Sequence, residues 1–485
     1  MTLKAVRFLL NNDPVTLENL EPNLTVLQYL REQAFSTGTK EGCASGDCGA
    51  CTVVVAQLNK DKTALNYKAI NACISFVGTL HGKQLLSVEH LKQGATLHPV
   101  QQAFVDHHGS QCGFCTPGFV MSTFALHKQT PTPNREQVLT ALAGNLCRCT
   151  GYRSIVDAAL TTSELIESDS FTQQYQQTVA QLRAIHDLPG AELTHKQHQY
   201  YAPKNISQLA EKLMANPQAT LVAGATDLAL SVTQNLARIE DLVYLGDVAQ
   251  LQEIEEAAGY IRIGAAVPYS EFTPLLAAQY PELGEMITRL GSRQIRNVGT
   301  LGGNIANASP IGDMAPTLIA LGAKISLQLG DVERKIALED FFLGYKKTAL
   351  KAGEFIKNIY LPKAQSGQTL KVYKISKRID DDISAVLAAF FIELKDNQVT
   401  QLRIAFGGMA ATPKRALACE AALLNKTFTL DNISAAQQAL SHDFQPLSDV
   451  RASDNYRMQV AQNLLKKCYL EYQNSNIATR VVNYA

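Results

Sequence analysis

Three cysteines share one short glycine-rich stretch near the start of the chain. The stretch EGCASGDCGACTVVV, residues 41–55, contains Cys43, Cys48 and Cys51, and Cys73 follows later in the sequence. This is the plant-type spacing of a 2Fe–2S cluster, whose fourth thiolate comes from further along the chain. Glycine and alanine between the cysteines let the backbone turn sharply and approach the bridging sulfides. The pattern therefore predicts a 2Fe–2S cluster bound by these four cysteines.

Zinc is the alternative ligand for the same four thiolates, since four cysteines also suit a tetrahedral zinc ion. Structural zinc ligands commonly come as two separated pairs, whereas three of these cysteines share one loop. The spacing therefore favours an iron–sulfur cluster over zinc.

A second set of four cysteines lies further along the chain. Cys112 and Cys115 stand in QCGFCTPGFVM, and Cys147 and Cys149 stand in GNLCRCTGY. Each pair precedes a predicted helix, whose N-terminal dipole would stabilise an anionic cluster. Pro117 suits the first turn of such a helix, where no hydrogen bond is lost. From these residues alone, zinc and iron–sulfur both remain open.

The composition limits the remaining interpretations. At 485 residues the chain is too long for one core, and three or four domains are expected. Lys plus Arg and Asp plus Glu are both 44, so no net field attracts nucleic acid or an anionic membrane. No secretory leader and no membrane-length apolar run is present, which predicts a cytoplasmic protein with reduced thiols. Cys419 and Cys468 lie outside both sets and are predicted to be buried apolar residues.

Hydrophobic periodicity predicts two different regions before residue 166. Residues 1–92 are expected to form short strands around one helix: a hairpin at 12–14, a helix at 24–31, strands at 51–58 and 83–91, and a helical stretch at 71–80. Residues 93–166 are expected to form a helical bundle with helices at 97–107, 117–128, 134–143 and 154–166.

Three further segments complete the predicted organisation. Residues 167–199 are rich in polar side chains and are predicted to be a linker. Residues 200–366 mix strands, helices and glycine clusters, and residues 367–485 begin with strands and end with helices. The predicted fold class is therefore multidomain α+β.

Two glycine-containing stretches in the third region could hold a dinucleotide. LVAGATDLAL spans 221–230, and RNVGTLGGNIANASPIGDMAPTLIALGA spans 296–323. Glycines beside small donors allow a backbone to approach a pyrophosphate, although an ordinary tight loop explains them as well. A G-x-G-x-x-G motif after a strand is missing, so a Rossmann fold is not supported.

Taken together, the cysteine motifs resemble the iron–sulfur region of the molybdenum hydroxylases, which include xanthine dehydrogenases and aldehyde oxidases. The resemblance holds over EGCASGDCGACTVVV, NACISFV, QCGFCTPGFVM and GNLCRCTGYRSI, and so over all eight cysteines. It implies two 2Fe–2S clusters. The first set would sit in a β-grasp domain of the plant ferredoxin type, and the second in a four-helix bundle next to the molybdenum centre.

The two glycine stretches resemble the FAD-binding segments of the same family, whose flavin domain is of the vanillyl-alcohol-oxidase type. The loop SKRIDDDIS, 376–384, resembles the family's acidic loop where NAD approaches the flavin, although a solvated turn also explains it. Leu290 stands where animal members have a phenylalanine over the flavin. The flavin contacts that the resemblance implies are Leu221, Val222, Ala223, Gly224, Ala225, Thr226, Asp227, Leu228, Thr300, Leu301, Gly302, Gly303, Asn304, Asp313, Ile356 and Lys374.

The order of segments resembles the iron–sulfur and FAD small subunit of bacterial xanthine dehydrogenases. The resemblance implies a partner, the molybdopterin-binding large subunit, in a dimer of heterodimers. Electrons from hydroxylation of hypoxanthine or xanthine to urate would reach FAD through both clusters and then reduce NAD+. No side chain of this chain is expected to act as acid, base or nucleophile, so no catalytic residue is predicted.

Two alternatives to this function stay open. The chain could serve another molybdenum hydroxylase that acts on an aldehyde or an N-heterocycle. It could also be a zinc-stabilised scaffold in which the glycine loops are only turns.

Overall fold

The computed structural model describes residues 2–161, 169–474, 477 and 479. The chain divides into two compact units, the first formed by residues 1–249 and 291–299 and the second by residues 250–290 and 300–485. The predicted flavin region, 200–366, contributes residues to both units. The domain boundaries expected from the sequence stay a prediction. In the described ranges, none of the helices is both long and apolar enough to cross a membrane.

The first unit begins with a five-stranded mixed sheet of the expected β-grasp type. Its order is β2-β1-β5-β3-β4, with β1 and β5 parallel and the other neighbours antiparallel. A short helix, α1, continues into a π-helical turn at Tyr29–Gln33. The elements are β1 Val6–Leu10, β2 Asp13–Leu17, α1 Val26–Gln28, β3 Thr52–Leu58, β4 Leu65–Asn71 and β5 Gln84–Leu86. The predicted hairpin, first helix and strand at 51–58 are confirmed.

The helical stretch predicted at 71–80 is wrong in its type. The segment forms two short 3-10 turns, Ala72–Ile74 and Val77–Leu80, with extended backbone at Ser75 and Phe76. Two of its backbone N–H groups donate outside the segment, Ala72 N to Cys51 O at 3.2 Å and Val77 N to Leu24 O at 2.9 Å. Tertiary hydrogen bonds therefore replace the helical ladder.

Four helices follow in the first unit, as the periodicity predicts. They are α2 Pro99–Asp106, α3 Thr116–Gln129, α4 Arg135–Leu142 and α5 Arg153–Thr161. The last helix was predicted to reach residue 166, but 162–166 lie outside the described residues. Pro117 lies in the first turn of α3, as expected.

The predicted linker contains ordered helices, which differs from the expectation for a polar connecting segment. These helices are α6 Ser170–Gln173 and α7 Tyr175–His186. Phe171, Val179 and Leu182 are buried in the same apolar cluster as the helical bundle. The polar composition of the segment hides these three apolar positions, which dock it on the bundle.

A buried ion cluster ties this segment to the bundle. The Asp169 carboxylate contacts His98 Nε2 at 3.1 Å and Lys128 Nζ at 2.7 Å, and its Oδ1 accepts from Thr172 N at 2.8 Å. The Asp169 side chain is 2% exposed. Burial acts to raise the pKa of Asp169, but hydrogen bonds with His98 and Lys128 lower this pKa to about 2.

This depressed pKa makes part of the folding stability dependent on pH. A carboxylate whose pKa is lower in the folded than in the unfolded state stabilises the fold above the unfolded value. We expect the charge of Asp169 to contribute about 2 kcal/mol near neutral pH, lost as the pH falls from about 4 to about 2. Urea unfolding of the wild type and Asp169→Asn at several pH values measures this, because asparagine keeps the helix cap. A stability difference that does not shrink in acid would contradict the assignment.

A four-stranded sheet completes the first unit. Its order is β6-β7-β9-β8, and β9 pairs in parallel with both β7 and β8. Parallel neighbours need helical crossovers, which two helices provide. The elements are β6 Glu192–His195, β7 His198–Tyr201, α8 Ile206–Ala215, β8 Thr220–Val222, α9 Leu228–Thr233 and β9 Asp241–Tyr244, with α12 Arg293–Arg296 in the segment 291–299.

The second unit contains a five-stranded antiparallel sheet with order β10-β11-β16-β12-β13 and a small hairpin, β14-β15. Its strands are β10 Ile254–Glu256, β11 Tyr260–Gly264, β12 Lys324–Leu329, β13 Val332–Ala337, β14 Phe342–Gly344, β15 Lys347–Thr348 and β16 Phe355–Pro362. Its helices are α10 Tyr269–Gln279, α11 Pro281–Thr288, α13 Leu301–Ala306 and α14 Met314–Ala320.

The C-terminal part of the second unit is α+β, as the sequence predicts. Four antiparallel strands, in the order β17-β18-β19-β20, pack against three helices around their own apolar cluster. The elements are β17 Gln368–Ile375, β18 Val386–Lys395, β19 Gln398–Gly407, β20 Lys414–Arg415, α15 Leu417–Leu423, α16 Leu430–Asp443 and α17 Asp454–Gln473. Cys419 and Cys468 are fully buried in this cluster, which agrees with their prediction as apolar residues.

Candidate iron–sulfur and flavin sites

The four cysteines of the first set come together in space although they span thirty residues. The Sγ atoms of Cys51 and Cys73 lie 3.3 Å apart, and the Cys43 thiol is hydrogen-bonded with the thiols of Cys48 and Cys73. Cys51 and Cys73 are buried, whereas Cys43 and Cys48 are partly exposed. The strand β3 and the turn after β4 place Cys51 and Cys73 side by side.

The loop around this set has the backbone that its glycines allow. Gly46 and Gly49 have φ of +83° and +68°, in the left-handed region that glycine tolerates best. The N–H groups of Ser45 and Cys48 both lie 3.4 Å from Cys43 Sγ, as donors to a thiolate require. The side-chain nitrogen of Asn71 donates to Gly46 O at 2.8 Å and fixes the loop from outside.

The thiols of the first set are close enough to shift one another's pKa. Hydrogen bonds with the thiols of Cys48 and Cys73 lower the pKa of Cys43, and the same contacts with Cys43 raise the pKa of Cys48 and Cys73. The Cys73 thiol in turn lowers the pKa of Cys51. Sulfur atoms this close would all be deprotonated by a positively charged iron centre.

The second set also assembles in pairs. The thiol of Cys115 is hydrogen-bonded with that of Cys147, and the thiol of Cys149 with that of Cys112. Burial and the Cys147 thiol raise the pKa of Cys115 to about 12, and the Cys112 thiol raises the pKa of Cys149. Cys112 and Cys149 are exposed, so this set lies at the protein surface.

Residues beside the second set order its loop. Tyr152 accepts a hydrogen bond from Cys147 N at 3.1 Å, and the Thr150 hydroxyl lies 3.2 Å from Cys147 Sγ. Burial acts to raise the pKa of Cys147, but hydrogen bonds with Thr150 lower this pKa.

The donor set of each site fits a 2Fe–2S cluster. Such a cluster takes four thiolates, two at each iron, and both sets present thiols as two close pairs. Within residues 2–161 and 169–474, no group of three or more His, Cys, Asp or Glu side chains is placed to hold a single metal ion.

The first predicted flavin loop joins β8 to α9 in the first unit. Gly224 is required by sterics, because a Cβ atom there would lie 2.0 Å from the carbonyl oxygen of Val298. Ala225 has φ of +59° and is buried, so the turn is tightly fixed. Asp227 is exposed and directly precedes α9. The close packing against Val298 explains the glycine at 224, and the contact of this loop with a pyrophosphate stays a prediction.

Gly224→Ala tests this close approach. A backbone carbonyl cannot yield as a flexible side chain can, so we expect a loss of stability of about 1–3 kcal/mol and a lower content of bound FAD. Urea unfolding and the flavin absorbance per chain measure the two effects. Gly259→Ala is the matched control, since a Cβ atom at Gly259 would meet no atom within 4 Å. Equal flavin content in the Gly224 variant and the wild type would contradict the assigned role.

The second predicted flavin loop begins α13 in the second unit. The Thr300 hydroxyl accepts from Gly303 N at 3.0 Å and caps the helix. A Cβ atom at Gly302 would lie 2.5 Å from Ala265 O, which explains this glycine. Gly303 is exposed, and Asn304 is partly exposed. In the described residues, the buried Asn304 Oδ1 has no hydrogen-bond partner and could accept from a flavin hydroxyl.

Two of the more distant predicted flavin contacts form one buried ion pair in the second unit. The Lys374 ammonium donates to Asp313 Oδ2 and, at 3.0 Å, to the Ser384 hydroxyl, which donates to Asp313 Oδ1 at 2.5 Å. The side chains of Lys374 and Asp313 are 2% and 8% exposed. Ser384 ends the acidic loop 376–384, so the loop is anchored on this pair.

Arg289 holds the same acidic loop from a second element. Its guanidinium donates to Ile379 O at 2.9 Å and to Lys374 O at 3.3 Å. Burial lowers the pKa of Arg289, and Asp380 and Asp313 oppose this effect. The loop is therefore held at Ile379 and Ser384, while residues 377–380 and 383 are exposed, and its role near the flavin stays a prediction.

The other predicted flavin residues have simple surroundings. Ile356 lies on β16 with its side chain in the main apolar cluster of the second unit, and Leu290 packs against that cluster. Leu221, Val222, Ala223, Thr226 and Leu228 lie in or beside the first loop, and Leu301 is buried in α13. Ser384 was included in the sequence prediction as the last residue of the acidic loop 376–384, but Arg289 was not identified, since no local pattern gives a signal for it.

Four family models match the chain in the order that the structure presents. They are the 2Fe-2S iron-sulfur cluster binding domain at 8–78, the [2Fe-2S] binding domain at 87–160, the FAD binding domain in molybdopterin dehydrogenase at 195–364, and the CO dehydrogenase flavoprotein C-terminal domain at 371–472.

Curated relatives are named xanthine dehydrogenase. The protein from Emericella nidulans is 34% identical over 91% of this chain, and that from Drosophila subobscura is 35% identical over 84%. The matches cover 36% and 34% of those proteins, so the chain spans about a third of the length of the curated relatives it matches.

Solved structures similar to this chain belong to proteins that are named for two other activities. A carbon monoxide dehydrogenase chain from Hydrogenophaga pseudoflava aligns with a TM-score of 0.53 and 29% identity, over 56% of this chain and 95% of that chain. A quinoline 2-oxidoreductase chain from Pseudomonas putida 86 aligns with a TM-score of 0.52 and 25% identity, over 56% and 95%.

Proposed function

Because the chain belongs to the molybdenum hydroxylase family as an iron–sulfur and flavin portion, we propose that it carries electrons from a molybdenum centre on a partner chain to NAD+. Two 2Fe–2S clusters would be held by the two cysteine sets, and FAD by the residues predicted above. When bound, the clusters carry single electrons and the flavin turns two of them into a hydride. The paired thiols of both sets are the observation on which this proposal depends.

The exposure of the cysteines supports a direction of transfer. The second set has two exposed cysteines, Cys112 and Cys149, whereas the first set has two buried ones, Cys51 and Cys73. Apolar side chains near the second set are also exposed: Phe114 is 48%, Leu146 46% and Tyr152 40% exposed. We propose that the molybdopterin-binding partner covers this face, so that electrons enter at the second set and continue to the first. The assembly proposed is a dimer of heterodimers.

We propose xanthine or hypoxanthine as the reductant of the complete enzyme. The overall reaction balances as xanthine, water and NAD+ giving urate, NADH and a proton. The xanthine dehydrogenase relatives support this substrate, and the anchored acidic loop 376–384 supports NAD+ as the acceptor. The likeness to a quinoline 2-oxidoreductase supports an N-heterocycle as the second candidate.

An anaerobic visible spectrum of the chain with its co-purified partner tests this function. Xanthine should bleach the flavin and cluster absorbance, and NAD+ should restore it. If only dithionite bleaches the bands, the electron-transfer role stands and the purine is wrong, and quinoline and aldehydes are tried next. If NAD+ does not restore the bands but O2 does, the assigned acceptor is wrong.

A further inference from the structure

The side chain of Gln294 lies buried among residues that flank both cysteine sets. Gln294 is on α12 and is 1% exposed. Its Nε2 lies 3.2 Å from the hydroxyl of Thr52, 3.2 Å from the hydroxyl of Ser122 and 3.0 Å from Asn145 Oδ1. All four residues belong to the first unit. Thr52 follows Cys51 directly, and Asn145 precedes Cys147 by two residues.

The amide of Asn145 continues the network to the first cysteine loop. Its Nδ2 donates to Gly49 O at 3.0 Å, and its Oδ1 accepts from the Ser122 hydroxyl at 2.7 Å. The adjacent residue, Leu146, donates its N–H to the carbonyl of Cys48 at 3.0 Å. A residue of the first set is thus one hydrogen bond away from the chain segment that carries Cys147.

Close backbone contacts fix the same junction. A Cβ atom at Gly118 would lie 2.2 Å from Gly49 O, and one at Gly49 would lie 2.3 Å from Gly144 O. A Cβ atom at Gly144 would lie 2.3 Å from Ser292 Cβ, in the turn before α12. The two cysteine loops and the segment 291–299 therefore meet where no side chain can separate them.

Burial of the Gln294 amide at this position costs free energy of folding. In the described residues its Oε1 is buried without a hydrogen-bond partner, and an unpaired buried carbonyl loses its hydration without compensation. An apolar side chain of the same length would avoid that loss. Compared with such an apolar side chain, the amide adds the contacts of Nε2 across the junction.

We infer that Gln294 is a positioning residue that fixes the spacing of the two cluster-binding loops. This inference rests on the proposed function, since it requires a cluster in each cysteine set. Gln294 contacts neither set directly and acts through Thr52, Ser122 and Asn145. Removal of its amide leaves these three polar groups to rearrange, so the two loops shift relative to each other.

The test is electron paramagnetic resonance of the fully reduced, cofactor-loaded chain. The magnetic interaction between two reduced clusters falls with the cube of their distance, so the splitting of their signals reports the spacing of the loops. We expect Gln294→Met to keep both clusters and to change this splitting from its wild-type value. Ser122→Ala, which removes one hydroxyl of the network, should change it in the same direction by less, and decides the question if the Gln294 variant does not fold.

Asn297→Leu is the matched control. Asn297 lies directly after α12, is also buried, and donates its amide to Ala69 O at 2.8 Å, a strand carbonyl away from the junction. This variant should leave the splitting unchanged. The inference would be overturned if both Gln294→Met and Ser122→Ala kept the splitting of the wild type. It would also be overturned if the wild type gave two cluster signals without a magnetic interaction between them. Absence of 2Fe–2S signals in the wild type would instead refute the proposed function.

Discussion

Replacement of Cys51 by alanine is expected to remove the first cluster and to halve the iron and acid-labile sulfide per chain. Cys51 is 1% exposed, and its Sγ lies 3.3 Å from that of Cys73, so the variant would leave three of the four closely placed thiolates that the cluster needs. The second cluster should remain, because none of its four thiols lies in the loop that carries Cys51. Iron and sulfide analysis, with the spectrum of the reduced chain, measures the loss.

Cys468→Ala is the control for the loss of a buried thiol. Cys468 is fully buried and burial raises its pKa to about 12, yet it lies outside both sets. This variant should keep the full iron and sulfide content. Equal iron and sulfide in Cys51→Ala and in the wild type would contradict the assignment of the first set.

Replacement of Lys374 by methionine is expected to cost about 3–5 kcal/mol of stability and to lower the FAD content. The change removes the ammonium that contacts the buried Asp313 carboxylate, which keeps the Ser384 hydroxyl and the more distant charge of Arg289, and a buried charge that loses its ion-pair partner is strongly destabilising. Urea unfolding and flavin absorbance measure both effects. Lys371→Met is the matched control on the same strand. Its ammonium contacts Glu282 at 2.9 Å and Glu471 at 3.5 Å, and its side chain is 22% exposed, so its loss should cost less stability than the loss of the buried Lys374.

The double variant Asp313→Leu, Lys374→Met separates stability from flavin binding. Removal of both charges should recover much of the stability that Lys374→Met loses, because the buried carboxylate is gone. The FAD content should stay low if Asp313 and Lys374 contact the flavin. Recovery of both stability and FAD would mean that the pair is only structural.

The elements of the fold that depend on short stretches of sequence were predicted correctly. The hairpin at β1 and β2, the strand β3 and the helices α2 to α5 follow from turn residues and periodicity within short windows. The stretch 71–80 was misjudged because the N–H groups of Ala72 and Val77 donate to Cys51 and Leu24, which interrupts the helical pattern of hydrogen bonds. Helices in the predicted linker were missed because only a few apolar residues dock them.

The residues of the candidate sites also divide into those that the sequence predicts and those that it does not. Cysteine spacing identifies both sets, and the resemblance supplied Asp313 and Lys374, which the structure joins although 61 positions separate them. Gln294 was not predictable, since its partner Thr52 is 242 positions away and no local pattern marks the contact. Contacts of this range depend on the packing of the whole unit.

This chain is proposed to carry two 2Fe–2S clusters and a flavin. Iron, acid-labile sulfide, zinc and FAD determined on the same preparation test it most directly. We expect about four iron atoms, four sulfides and one FAD per chain, without stoichiometric zinc. Stoichiometric zinc without sulfide or flavin would contradict it and would favour a zinc-stabilised scaffold.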